Sequence, residues 1–154
     1  MLVYCDSMIL IYLLDTVGPF NLRAVHRLAA LQATGEVAAF SDLTRLECRV
    51  KPLKLGALKT LADLDGFFTR PDVRFVPIST VVFDRATHIR ATYYFKLGDS
   101  LHLAAAVEAG CDRFLTNDHR LTGFPVLSWH RAANLNAGQG YLYHLLNNRR
   151  FRFI

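Results

Sequence analysis

The stretch from Gly98 to Asp118, GDSLHLAAAVEAGCDRFLTND, constrains the fold more than any other. It contains a helix that is apolar on nearly every face, followed by a short apolar strand, with an aspartate at each end. A helix apolar all round must be covered on several sides at once, which requires a layered protein. The rest of the chain supplies the layers. LVYC, VAAF, VRFVPI, RFLT and PVLSW read as short β-prone runs. Between them lie helical segments: one starting in SMILIYLLD, one from Leu22 to Leu31 leading to Gly35, and one from the Ser41 cap through about Val50, where Pro52 is expected to end it. The others lie in LGALKTLADLDGFFT, from the Ser79 cap toward Tyr93, and from Asp99 to Gly110. Strands alternating with helices predict an α/β sandwich with a mainly parallel central sheet flanked by helices.

At 154 residues the chain is the size of one domain, and 52% hydrophobic residues with 20% charged exclude a disordered chain. We divide it into a domain over residues 1–131 and a basic C-terminal tail over 132–154 whose role the sequence does not reveal. The net charge of +5 favours polyanionic partners such as RNA. Cys5, Cys48 and Cys111 have no CxxC spacing, so a reducing cytoplasm is expected and neither disulfide framework nor zinc knuckle is indicated. The six histidines show no zinc spacing either, and His102, within its apolar helix, reads as a packed core residue. The N-terminus lacks the basic start and cleavage site of a signal peptide, and no apolar run reaches membrane-spanning length, so no membrane partner is expected.

Ligands of open α/β sheets bind at the carboxyl ends of the strands. Asp6 directly follows the first strand, Asp118 nearly follows RFLT, and Asp99 opens the helix leading into that strand. Glu47 lies inside a stripe defined by Leu43, Leu46 and Val50 and is expected to point inward. Taken singly, Asp99 also fits a helix N-cap and Asp118 a turn. Together, inward carboxylates repel one another unless a cation neutralises them. The segment from Ser7 to Gly18 and the helix from Asp99 to Gly110 contain no Lys or Arg. A hard divalent cation, Mg²⁺ or Mn²⁺, is the economical alternative, with Asp6, Glu47, Asp99 and Asp118 as its ligands.

The motifs LVYCDSMILIYLL, SDLTRLECRV and LGDSLHLAAAVEAGCDRFLTNDHRL resemble the PIN domain, and most closely the VapC-type ribonuclease toxins of bacterial toxin–antitoxin pairs. The resemblance spans roughly Met1 to Trp129. It departs from the family at Met8, where many relatives carry a small polar residue, and it does not extend to the tail. It implies a PIN-like three-layer sandwich and a metal-dependent endoribonuclease that hydrolyses phosphodiester bonds with a metal-activated water. Asp6, Glu47, Asp99 and Asp118 are then the catalytic and metal-binding residues, with Thr116 and Ser7 in support. It also implies a cognate VapB-like antitoxin and a homodimer. Arg45, Arg49 and Arg120 would contact RNA phosphates, with Lys51, Lys54, Arg113 and Arg131 adding charge. Two other readings remain: a non-catalytic PIN-like binding module, and a haloacid-dehalogenase-like phosphatase with Asp6 as nucleophile, which the absence of a second aspartate at Met8 disfavours.

Overall fold

A computed structural model of the chain describes residues 1–14, 19–125 and 128–131. Five parallel strands, β1 (Leu2–Cys5), β2 (Val37–Ser41), β3 (Val73–Val76), β4 (Arg113–Thr116) and β5 (Ser128–Arg131), form one sheet in the order β3-β2-β1-β4-β5. The helices are α1 (Ser7–Leu14), α2 (Pro19–Ala33), α3 (Asp42–Leu55), α4 (Leu58–Phe68), α5 (Thr80–Tyr93) and α6 (Leu97–Glu108), followed by a short 3-10 turn, His119–Gly123.

Successive residues of a strand face opposite sides of the sheet, and the core divides accordingly. Tyr4, Ala39 and Phe114 pack with Val82, Ile89, Leu103 and Ala106 of α5 and α6. Val3, Cys5, Phe40 and Leu115 pack on the other face with Ile9, Leu28, Cys48 and Leu64 of α1 to α4. Helices on both faces make the expected three-layer sandwich. From Leu101 to Ala106 every residue of α6 is buried, which explains why this helix carries no polar face. Its alanines keep the helix close to the sheet, since a small side chain sets a short packing distance.

Two expectations about α3 are corrected. Pro52 does not end the helix, which continues to Leu55 and closes at Gly56 in the left-handed region (φ 62°). Proline removes one N–H rung, but it sits buried near the helix end, where Gly56 and Ala57 N–H groups reach the carbonyls of Leu53 and Pro52. The buried face is Thr44, Cys48 and Pro52, and of the expected stripe only Leu43 packs against the core, partly buried, while Leu46 and Val50 do not. Leu46 is 61% exposed and Val50 42%.

Other boundaries lie close to expectation. Ser79 caps α5, accepting from Val82 N, and Gly110 takes a positive φ after α6. The last strand starts at Ser128, and the two residues before it, like the tail from residue 132, lie outside the described residues. All three cysteines are buried free thiols. Among the described residues, no single helix is long and apolar enough to cross a membrane.

Candidate active site

The strand order defines where a ligand can enter. From β1 the chain moves through β2 to β3 on one side, then returns to place β4 and β5 on the other, so the switch point lies between the ends of β1 and β4. Asp6 lies directly at that point. Its backbone N–H donates to Leu115 O at 3.0 Å, and the Thr116 hydroxyl donates to its Oδ2 at 2.8 Å. The same Thr116 oxygen accepts from the N–H of Asp118 at 3.0 Å. One buried threonine therefore fixes both the carboxylate after β1 and the backbone after β4.

Asp99 comes from the first turn of α6, whose cap is Lys96; the alternative role of Asp99 as an N-cap is thereby excluded. Its carboxyl is held above the usual carboxylate range by burial and by the negative charges of Asp118 and Asp6, which together outweigh the opposing charges of Arg120 and His102. Asp118 does cap the 3-10 turn, accepting from Arg120 N at 2.9 Å, so here the turn role coexists with a place at the site. The guanidinium of Arg120 also folds back onto the Asp118 carboxylate and holds its carboxyl below the ordinary range. Its far nitrogen stands 3.9 Å from Asp99. α1 and α6 carry no Lys or Arg, yet a basic side chain, Arg120, reaches two of the four carboxylates from the turn after β4.

Glu47 lies at the margin of the site, half-exposed, because the inward face of α3 is one residue away. Its Oε2 meets His102 Nε2 at 3.1 Å. Burial opposes its ionisation, yet hydrogen bonds from His102 and Ser7 and the charge of His102 leave its carboxyl below the ordinary value. Gly98 packs so close that a Cβ there would sit 3.4 Å from Glu47 Oε1.

His102 joins these groups. It is buried in α6, with Nε2 also 3.1 Å from Ser7 Oγ and 3.9 Å from Asp6 Oδ1. Its Nδ1 stands 2.8 Å from the hydroxyl of Tyr4, which donates to Ser41 Oγ at 2.6 Å. Sequence reasoning placed His102 in the core but missed that its polar partners are Glu47, Ser7 and Tyr4. The available signal was a histidine three residues after Asp99 in an otherwise apolar helix. Ser7 is the first residue of α1, and its hydroxyl turns to His102.

Of the basic residues, Arg45 and Arg49 both pair with Asp65 of α4, the first at 3.6 Å. Lys51 and Lys54 are exposed on α3. Arg113 begins β4 and pairs with Glu36 at 2.9 Å, a strand's length from the site edge. The Arg131 side chain lies outside the described residues.

Asp6, Asp99 and Asp118 offer only oxygen donors, and the carboxyl of Asp99 is raised first by burial, with the charges of Asp118 and Asp6 adding to it. That chemistry fits a hard divalent cation. As the side chains stand, no three His, Cys, Asp or Glu groups among the described residues converge to hold one ion. Asp118 faces Arg120 and Glu47 faces His102 instead.

A parallel α/β sandwich with clustered carboxylates at its switch point defines an acidic-cleft protein. The PIN domain model matches residues 3–126, and the chain belongs to that family. Its fold is similar to that of VapBC2 from Rickettsia felis bound to a DNA fragment from its promoter, at TM-score 0.70 and 17% identity over 85% of this chain and 98% of that one. A toxin–antitoxin complex from Klebsiella pneumoniae gives TM-score 0.62 and 24% identity over 81% and 94% of the two chains. Mycobacterium tuberculosis VapC20, described as a sarcin–ricin loop cleaving toxin, gives TM-score 0.66 and 12% identity over 81% and 96%. No curated protein matches the chain by sequence.

Proposed function

We propose that the protein is a metal-dependent endoribonuclease, the toxin of a toxin–antitoxin pair. The observation that carries this reading is that Asp6 and Asp118 flank the β1/β4 switch point near enough for their charges to bear on the Asp99 carboxyl, with Thr116 tying Asp6 to the Asp118 turn. Family membership and the toxin–antitoxin neighbours support the same class of chemistry and a VapB-like antitoxin as partner. A homodimer and a cytoplasmic location belong to the same proposal.

Asp6, Asp99 and Asp118 would hold Mg²⁺ or Mn²⁺, with Glu47 beside them. The ion, when bound, supplies positive charge against the phosphate and lowers the pKa of a water. The chain's own residues do the positioning. Thr116 holds Asp6 in one orientation through its hydroxyl. His102 keeps Glu47 ionised and aimed along the α3/α6 edge. Arg120, released from Asp118, is placed to meet a phosphate of the RNA backbone. Buried Cys48, beside the site and pushed up to about 12 by burial, stays protonated and is no nucleophile.

A second reading, a non-catalytic binding module, draws on the pairing of Asp118 with Arg120 and of Glu47 with His102, which leaves fewer carboxylates free for an ion. The two are separated by incubating antitoxin-free protein with total cellular RNA and Mg²⁺ or Mn²⁺, with EDTA and Asp99→Asn as controls. Discrete products that vanish in both controls support the nuclease. RNA retention that survives EDTA, with no turnover, supports the module.

A further inference from the structure

Beside the carboxylates lies an aromatic column that the catalytic reading does not use. Asn117, between Thr116 and Asp118, donates from Nδ2 to the hydroxyl of Tyr12 on α1 at 3.3 Å. The Tyr12 ring stacks on Phe20 at the start of α2, with centroids 5.0 Å apart and planes at 19°. The guanidinium carbon of Arg23 lies over the Phe20 ring, 5.7 Å from its centroid, so an incoming base would stack on Phe20 by displacing or sandwiching with this guanidinium. The stack is held from both sides. Asn21, next to Phe20, donates to the carbonyls of Tyr12 (3.0 Å) and Leu13 (3.1 Å), so the start of α2 is fixed to the end of α1.

Phe20 is nonetheless 44% exposed. A phenylalanine held for packing alone would gain by burial, whereas this one is kept in solvent by two polar anchors, parallel to a second ring and next to a cation. Near-parallel rings with an adjoining guanidinium are the arrangement on which single-stranded nucleic acid stacks its bases while arginine meets a phosphate.

We propose that Tyr12, Phe20 and Arg23 form a base-stacking subsite for single-stranded RNA, joined through Asn117 to the scissile-phosphate site. The proposal rests on the ribonuclease reading and deepens it: the substrate would be an unpaired strand with a base splayed onto Phe20, not a duplex.

Binding is measured in EDTA, by fluorescence anisotropy, with labelled oligoribonucleotides of about a dozen nucleotides, a length within the range spanned by known single-strand sites. One carries mixed bases and one is abasic with the same backbone. Phe20→Ala should weaken binding of the base-bearing strand about tenfold or more while leaving the abasic strand unaffected, and Phe20→Trp should restore it. Equal loss for both strands, or no loss for either, overturns the subsite; unchanged RNA binding would assign the exposed stack to a protein partner instead. If the unaltered protein binds neither strand yet cleaves RNA with Mg²⁺ or Mn²⁺, the subsite alone is overturned; if it neither binds nor cleaves, the ribonuclease reading falls with it. Thermal melting of both variants verifies that they fold.

Discussion

Glu47 Oε2 lies 3.1 Å from His102 Nε2, a contact between residues 55 positions apart that links α3 to α6. A carboxylate can only accept hydrogen bonds, so the proton between them sits on the imidazole. The same ring meets Ser7 and Tyr4, so a single side chain connects the helix after β1, the strand β1 itself and the glutamate of α3.

Replacing His102 by leucine removes that junction and leaves Tyr4 Oη buried with one partner fewer. Tyr4 Oη keeps Ser41, so what is lost is the hydrogen bonds of the ring, each worth about 0.5–1.5 kcal/mol, and urea denaturation should record a loss of about that size. Cleavage should fall further than stability accounts for, because Glu47 loses its orientation.

Asp99→Asn should abolish cleavage and raise the melting temperature of metal-free protein at neutral pH. The sign follows from the raised carboxyl of Asp99. Its protonated form is favoured by folding, so its contribution to stability is full below the unfolded value and is lost as pH rises through the folded one. The advantage of the asparagine variant should therefore shrink as melts are taken at progressively lower pH, and a constant advantage would contradict this origin.

Thr116→Val keeps the shape of the side chain and removes the hydroxyl that serves both Asp6 and the Asp118 N–H. Groups that orient ligands in this way typically change activity or metal affinity by about 10- to 100-fold, and that loss is expected in cleavage assays. Thr116→Ser should recover most of it.

Arg120→Ala removes an exposed ion pair and should leave the melting temperature unchanged. With Asp118 and Asp99 relieved of their competing cation, Mn²⁺ should bind more tightly, as read by EPR titration. RNA affinity should at the same time lose part of its salt dependence, the sign of one phosphate contact fewer. Tighter RNA binding would place Arg120 outside the RNA path.

The layered fold was legible because β1 and β2 are apolar runs, β3 and β4 are mostly apolar, and some helix ends carry a recognisable cap or stop, with Ser79 and Gly110 acting as read. The positions of Asp6 and Asp118 followed from strand ends alone. The face of α3 was not legible. Leu43, Leu46 and Val50 repeat as regularly as a buried stripe, while the residues that are buried, Thr44, Cys48 and Pro52, rank lower in hydropathy. Packing against α1 and α4 decided the matter, and no local pattern encodes that. The pairings of Glu47 with His102 and of Asn117 with Tyr12 join segments 55 and 105 residues apart, beyond the reach of helical spacing. The pairing of Arg120 with Asp118 was hidden for a different reason: a residue two places after Asp118 turns back only because the 3-10 turn bends it there.

The central place of β1 has a consequence for synthesis. Asp6 is synthesised 110 positions ahead of the threonine that orients it. At about 5–20 residues per second, the nascent chain spends several seconds with its first carboxylate made and its crevice unassembled. The carboxylate site therefore exists only once β4 has taken its place beside β1, and until then the nascent chain lacks the geometry on which the proposed activity depends.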